Sequence, residues 1–153
     1  MKFSQILVLL MFLTGCNAAT KAVKDERKQW GFNNWKNDFK DRAFCLCLLE
    51  GYDNNEVTNF LLEKDKSFYN GVGQAIFDPV LKPIIQEEVE KIKRDSIESI
   101  NHEAEGAAGK RVINHCLQFY KSKRLNSIAK SQVPKWRSIK NIEAIVTKEV
   151  PTY

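Results

Sequence analysis

The sequence has little glycine and proline, seven and four residues among 153, and it lacks an apolar run long enough to cross a membrane. Its longest such run, Ile6 to Leu13, has eight residues, whereas a membrane-spanning helix needs about 20. The glycines and prolines stand mainly at the ends of segments with helical periodicity. This composition predicts an all-α fold, a single small bundle of helices joined by short turns.

Histidine and clustered charge are scarce as well. Neither of the two histidines, His102 and His115, belongs to a spacing typical of a metal site. The formal net charge is +5, without lysine or arginine runs as long as those of nucleic-acid-binding segments. Because His115 adjoins Cys116, the two side chains point apart on a helix, which argues against a cysteine–histidine nucleophile. We therefore expect no metal, no cofactor, no nucleic-acid partner and no enzymatic activity.

The N-terminus has the features of a bacterial export signal. A basic residue, the apolar run and the small pair Thr14 and Gly15 precede Cys16, an order typical of a secretory signal peptide. The four residues ending at Cys16 resemble the lipobox of bacterial lipoproteins, which implies that residues 1–15 are removed and that Cys16 carries lipid. Two or more acyl chains would give stable membrane anchoring. The alternative is an ordinary signal peptide cut near Ala18 or Ala19, which would discard Cys16.

The sequence therefore predicts four segments. They are a lipoprotein signal peptide at 1–15, a polar tether at 16–34, a helical domain at 35–133 and a C-terminal arm at 134–153. Asn17, directly after the cysteine, favours the outer membrane in enteric-type sorting. We expect a periplasmic protein that is lipid-anchored to the outer membrane of a Gram-negative bacterium.

Apolar periodicity predicts about five helices between residues 34 and 131. Gly71 and Gly73 are expected to weaken the second helix before a third begins near Asp78 or Pro83. Pro134 is expected to end the helical part, and the segment after it is compatible with a strand, a short helix or an ordered arm. The apolar faces of the second, third and fourth helices are predicted to include Phe60, Ile97, Ile100, Ile113 and Leu117.

Three cysteines remain once Cys16 is set aside, in a compartment that oxidises thiols. Cys45 and Cys47 cannot pair within one helix, because residues two apart point about 200° away from each other. Cys47 lies on the face that also carries Gly51, and Cys116 lies on the apolar face of the fourth predicted helix. We predict a Cys47–Cys116 disulfide, with three buried thiols as the alternative. In the chain-entropy model, a bridge that closes the loop between these two cysteines stabilises the fold by about 4 kcal/mol.

Two segments resemble a known family. "FKDRAFCLCLLEGYDN", from Phe39, and "INHCLQFYKSKRLNSIAK", from Ile113, are similar to the first and last conserved helices of type VI secretion amidase immunity proteins. The matching positions are Asp41, Arg42, Ala43, Cys47 and Tyr52 in the first segment, and Cys116, Leu117, Tyr120, Ser122 and Leu125 in the second. The chain departs from the family pattern at Cys45, around Phe77 to Ile100, and after Pro134.

The resemblance implies a small all-helical inhibitor that neutralises a secreted peptidoglycan amidase effector. It also implies a disulfide between the two matching cysteines, a homodimer, and a loop between helices that enters the active-site groove of the amidase. The corresponding loop here is Asn101 to Lys110, with His102, Glu103, Glu105 and Lys110 as the expected effector-binding residues; the alternative is a solvated connector. The competing function is that of a non-enzymatic envelope lipoprotein with a structural or secretion-apparatus role.

Overall fold

The architecture is all-α, as the composition predicts. The computed structural model describes residues 34–102 and 108–150. Its α-helices are α1 (Trp35–Tyr52), α2 (Asn55–Lys64), α3 (Asp78–His102), α4 (Val112–Lys121), α5 (Lys123–Ser138) and α6 (Ile142–Glu149). Within these ranges there is no β-strand, and no helix is long and apolar enough to cross a membrane.

Several predictions lie outside the described residues and stay predictions. These are the signal peptide, the lipid on Cys16, the tether as far as residue 33, and the effector contacts of Glu103 and Glu105.

An aromatic cluster forms the centre of the core. Phe39 of α1, Phe77 before α3 and Trp136 of α5 lie with their ring centroids 5.3 to 5.5 Å apart. All three side chains are buried, and aromatic pairs at such distances add about 0.5–1.5 kcal/mol each beyond the area that they bury. The cluster therefore joins helices that are far apart in the sequence.

Helix α1 has the face that its periodicity predicts. Phe39, Ala43 and Cys47 recur at four-residue steps and are fully buried, since a helix repeats every 3.6 residues. Near its end, Gly51 lies so close to α4 that an added Cβ would stand 2.8 Å from a methyl group of Val112. A glycine is needed there because any side chain would push the two helices apart.

The second helix is shorter and more exposed than predicted. The side chain of Asn54 accepts hydrogen bonds from the backbone N–H groups of Glu56 and Val57 and so starts α2. None of the ten residues of α2 is buried. The expectation that Phe60 faces inward is wrong, because its side chain is 61% exposed. Burial resumes at Phe68, in the 3-10 turn Lys66–Phe68.

Gly71 and Gly73, which were expected to weaken the second helix, lie in a helical segment that leads into α3. Residues 71 and 72 are helical, a π-helical stretch Gly73–Phe77 follows, and α3 continues from it without a loop. The side chain of Asn70 accepts the N–H of Gly73 at 2.7 Å, and an added Cβ on Gly73 would lie 3.1 Å from the Arg42 side chain. Gly73 thus makes room for Arg42 and does not end a helix.

Two further expectations about helix ends and faces are wrong. Pro134 lies inside α5 and does not end the helical part. Of the alternatives for the segment after it, the short helix is found: Ile142–Glu149 forms α6, which the Asn141 side chain caps by accepting the N–H of Ala144. Four residues are more exposed than their spacing predicts, because α3 runs past the core and α4 buries only one side; they are Ile97, Ile100, Ile113 and Leu117.

Candidate functional site

A polar cleft of about 380 Å³ opens between the C-terminal half of α3 and α4. Asp95, Ser99 and His102 recur at three- and four-residue steps along α3 and so line one wall together. His115 and Gln118, three residues apart on α4, belong to the opposite wall. The cleft is therefore built from two helix faces that present hydrogen-bonding groups to solvent.

The predicted effector-binding loop begins and ends at this cleft. His102, at the end of α3, and Gly109, just before α4, both line it. The N–H of Gly109 donates a 2.9 Å hydrogen bond to the Ser99 hydroxyl, and Gly109 has a φ of +133°, which strongly favours glycine. This geometry holds the end of the loop against α3.

Lys110 lies apart from His102. Its ammonium donates a 3.1 Å hydrogen bond to the carbonyl of Tyr52, at the end of α1, and lies 3.9 Å from the carboxylate of Asp53. A cation at a helix C-terminus interacts favourably with the unpaired carbonyls there. Of the four predicted contact residues, the structure thus places one on the cleft and one on the end of α1.

The cleft is supported from behind by Glu88. The Glu88 side chain is 5% exposed and contacts a lysine, an arginine and a histidine side chain. Its Oε1 accepts hydrogen bonds from Lys91 and Arg124, both at 2.6 Å, and its Oε2 lies 2.9 Å from Nε2 of His115. Buried charge is costly unless it is paired and hydrogen-bonded in this way.

The same contacts keep Glu88 ionised. Burial by itself raises its pKa, but the hydrogen bonds and charges of Lys91 and His115 outweigh burial, so the pKa lies below the ordinary value for glutamate. Because an ionised carboxylate only accepts hydrogen bonds, Nε2 of His115 is the donor. The other ring nitrogen, Nδ1, lies 4.0 Å from the Asp95 carboxylate. Glu88 therefore fixes the orientation of a histidine in the cleft wall.

Sequence reasoning missed this role of Glu88. Among the many charged residues of α3 a glutamate is most simply expected on a solvated face, but Glu88 falls between Ile85 and Ile92 at the three- and four-residue spacing of the buried face. A carboxylate at the spacing of buried residues is the sequence signal that could have revealed this role. The local sequence around Glu88 does not show that His115 of α4 and Arg124 of α5 are its partners.

The two segments that carry the family resemblance lie against each other. Cys47 of α1 and Cys116 of α4 form a disulfide, with sulfur atoms 2.00 Å and Cα atoms 5.7 Å apart; this is the predicted pair. A hydrogen bond to Asp41, with burial and the charge of Asp41, raises the pKa of Tyr120. Ser122 caps α5 by accepting the N–H of Leu125.

Arg42, another position of the matching pattern, is buried in a separate site. Its Nε and Nη2 donate to the two carboxylate oxygens of Asp78 at 2.8 and 2.7 Å. Its Nη1 donates to the carbonyl of Phe68 at 2.7 Å. The pair joins α1 to the start of α3, and neither residue lines the cleft.

Cys45, which among the described residues is the cysteine outside the disulfide, has a poorly nucleophilic thiol. Burial is the main reason that its pKa is raised; nearby Asp41 and Asp65 add to the effect, and the charge of Arg42 opposes it. Its Sγ donates a weak hydrogen bond to the Ser67 carbonyl at 3.7 Å. Since the thiolate is the nucleophile, a raised pKa lowers reactivity at neutral pH.

Within residues 34–102 and 108–150, no group of three or more histidine, cysteine or carboxylate side chains is arranged to hold a metal ion. No protein family, curated protein or solved structure matches the chain. The function is therefore argued from the site itself and from the resemblance of the two segments.

Proposed function

We propose that this protein is an immunity protein that binds and inhibits a type VI secreted peptidoglycan amidase. The proposal includes export to the periplasm, a lipid anchor on Cys16 and protection of the producer's own cell wall. It treats the chain as an inhibitor that performs no chemistry. The observation that carries the proposal is the meeting of the two family-like segments through the Cys47–Cys116 disulfide.

The resembling positions take part in one folding unit, which supports reading them together. In the first segment Arg42 and Ala43 are buried and Cys47 is bonded to the second segment. In the second segment Ser122 caps a helix and Leu125 is fully buried. These five matching positions thus have specific structural roles, and the disulfide suits an oxidising compartment such as the periplasm.

The cleft and the loop whose two ends line it supply the contact surface in this proposal. Loop residues 103–107 lie between His102 and Gly109, both of which line the cleft. In the proposed complex His102, Glu103 and Glu105 meet the catalytic histidine or a basic rim of the amidase groove and exclude substrate. A specific interface buries about 1,600 Å² in total, so the faces of α3 and α4 must contribute as well.

The decisive experiment is inhibition of the amidase encoded beside this protein. Purified full-length protein is titrated into the amidase, and the release of cleaved peptide from peptidoglycan is measured. We expect activity to fall to background near a one-to-one ratio, which indicates nanomolar or tighter binding. Amidase activity that stays unchanged at a large excess of the protein would refute the proposal and favour a structural lipoprotein.

The loop is tested separately by charge reversal. Glu103→Lys with Glu105→Lys is expected to weaken inhibition at least tenfold, because both carboxylates are proposed to face basic groups of the amidase. Glu143→Lys with Glu149→Lys changes the same charge on α6, where both residues are exposed, and serves as the matched control. Equal inhibition by the two double variants would show that the loop is not part of the interface, although the protein would still be an inhibitor.

A further inference from the structure

Basic residues are concentrated in one stretch of the chain. Residues 106–142 contain nine lysines and arginines and no aspartate or glutamate. By contrast, residues 50–66 contain five acidic residues and two lysines. Five of the nine basic residues belong to α5, so basic residues are enriched on this helix, although no single run of them reveals this in the sequence.

The helical geometry of α5 places some of these basic residues in a row along one face. Lys123, Lys130 and Arg137 stand seven residues apart, so they share one face at intervals of about 10 Å. All three are exposed. The buried residues of the helix lie on the opposite face; they are Leu125, Ala129, Gln132 and Trp136. We call the exposed line of Lys123, Lys130 and Arg137 the basic stripe.

Small residues separate the cations of the basic stripe. Ser127 and Pro134 lie between them on the same face, and both are exposed. At one edge of that face, Arg124 pairs with Glu87 and Glu88 of α3. The stripe itself forms the convex outer surface of a helix and extends over about 21 Å from Lys123 to Arg137.

The chemistry of the basic stripe distinguishes between possible partners. Protein interfaces have an apolar core with aromatic anchors, whereas the aromatic residue of α5, Trp136, is buried. The same absence of an exposed ring on α5 removes the stacking platform that single-stranded nucleic acid requires. A convex row of cations with small residues between them matches a flat, extended array of phosphates.

We propose that the basic stripe of α5 binds the anionic phospholipid headgroups of a membrane surface. Lysines and arginines near such a surface are attracted by its negative potential over roughly one Debye length, about 8 Å at physiological salt. The contact would lay α5 along the bilayer. It does not depend on amidase inhibition, since it uses a different helix face from the cleft and its loop.

Vesicle binding tests this proposal on the full chain with Cys16→Ser, which removes the acylation site. The probes are vesicles of phosphatidylcholine alone and of equal parts phosphatidylcholine and phosphatidylglycerol, and partition is measured by co-sedimentation. We expect preferential binding to the anionic vesicles that falls with added salt. The neutral vesicles measure any contribution of the apolar N-terminal segment, which all variants share.

A matched pair of variants assigns the binding to the stripe. Lys123→Gln with Lys130→Gln should lower partition into anionic vesicles about 25-fold, at about fivefold per lysine removed. Lys36→Gln with Lys64→Gln removes the same charge from α1 and α2 and should change partition less than twofold. Circular dichroism must show equal melting temperatures for both. Free phosphate should compete no better than chloride at equal ionic strength.

Three outcomes would overturn the proposal. One is equal partition into neutral and anionic vesicles, and another is an equal loss in the two double variants. The third is unchanged vesicle binding by Lys123→Gln with Lys130→Gln together with weakened amidase inhibition, which would assign the stripe to an acidic protein surface. If the protein binds vesicles through the basic stripe but does not inhibit the amidase, the membrane-binding proposal stands and the proposed function is refuted.

Discussion

Helix α3 carries two buried carboxylates, Asp78 at its first residue and Glu88 about three turns later, and their surroundings differ. Asp78 is held by one partner, Arg42, through two parallel hydrogen bonds, with both side chains at most 10% exposed. Glu88 is held by Lys91, His115 and Arg124, and the lysine and arginine side chains are each 40% exposed. One site is closed to solvent, and the other opens toward the cleft.

This difference separates a structural role from a positioning role. The hydrogen bonds of the Arg42–Asp78 pair join α1 to the Phe68 carbonyl and to the start of α3. The Glu88 cluster has partners from three helices and orients His115, which faces the cleft. We therefore expect changes at Arg42 to act on stability and changes at Glu88 to act mainly on the cleft.

The largest effect is expected from breaking the closed site. Arg42→Met leaves the Asp78 carboxylate buried without its partner, which costs about 3–5 kcal/mol. Urea unfolding followed by circular dichroism measures the loss. Arg42→Met combined with Asp78→Leu removes both charges and should be more stable than Arg42→Met alone. If the double variant is the less stable of the two, burial of an unpaired charge is not the cause.

Removing the covalent link between α1 and α4 should have the next largest effect. Cys47→Ala with Cys116→Ala opens a bridge between residues 69 positions apart, and the chain-entropy model gives a loss of about 4 kcal/mol. The urea midpoint of this variant should match that of the reduced wild-type protein. A wild-type midpoint that does not respond to reductant would contradict the expectation.

Breaking the open site should cost less. Glu88→Gln removes charge-assisted hydrogen bonds from Lys91 and Arg124, but both partners can turn toward solvent, so we expect a loss of about 1–3 kcal/mol. Glu87→Gln is the control, since the Glu87 side chain is 60% exposed and its pair with Arg124 is worth less than about 1 kcal/mol. Equal losses for the two variants would mean that the burial of Glu88 has no energetic consequence.

The open site should also give a pH signature. The pKa of Glu88 is lower in the folded protein than its ordinary value, so its stabilising contribution is complete above the unfolded pKa of about 4.3. That contribution is lost as the pH falls through the lowered folded pKa. Unfolding free energies measured from pH 6 downward should therefore differ by a constant amount between the wild-type protein and Glu88→Gln until the pH reaches the unfolded pKa of about 4.3, and the difference should shrink as the pH falls further. A gap between them that stays constant with pH would exclude the linkage.

The smallest effect, on thiol labelling, reports on the closed site alone. Cys45 lies beside it, with its Sγ donating to the Ser67 carbonyl, and its raised pKa slows reaction with a thiol reagent. In the full chain with Cys16→Ser, we expect slow labelling that Glu88→Gln leaves unchanged. Arg42→Met should accelerate it because the unpaired Asp78 carboxylate loosens the site and exposes the thiol; loss of the Arg42 charge alone would raise the pKa of the thiol and slow the reaction. Faster labelling in Glu88→Gln would show that the two sites open together.

Local periodicity was a good guide to α1. Phe39, Ala43 and Cys47 are buried as their spacing predicts, because this helix packs along its whole length. Ile97 and Ile100 have the same kind of spacing but are 64% and 68% exposed. Spacing shows which residues share a face, and only the neighbouring helices decide whether that face is covered. This is why the pattern misled us at the end of α3.

Glycine and proline show the same limit. Gly73 and Pro134 reduce helix propensity by about 1 and 3 kcal/mol, and we expected each to interrupt or end a helix. Gly73 instead begins the π-helical stretch beside Arg42, and Pro134 lies in α5, where four residues are buried on the core side. Tertiary packing outweighs a local penalty of this size.

The sequence by itself determined the helical class and the face of α1, because helical periodicity and the direction of neighbouring side chains are local properties. It predicted the pairing of Cys47 with Cys116 but left open the alternative of three buried thiols, and the contact between α1 and α4 decided that point. Only the tertiary structure decided that Glu88 is buried, that it orients His115, and that a cleft opens beside the loop. Those features depend on contacts between helices 27 or more residues apart in the chain. No periodic pattern within one helix records the charges that another helix brings against it.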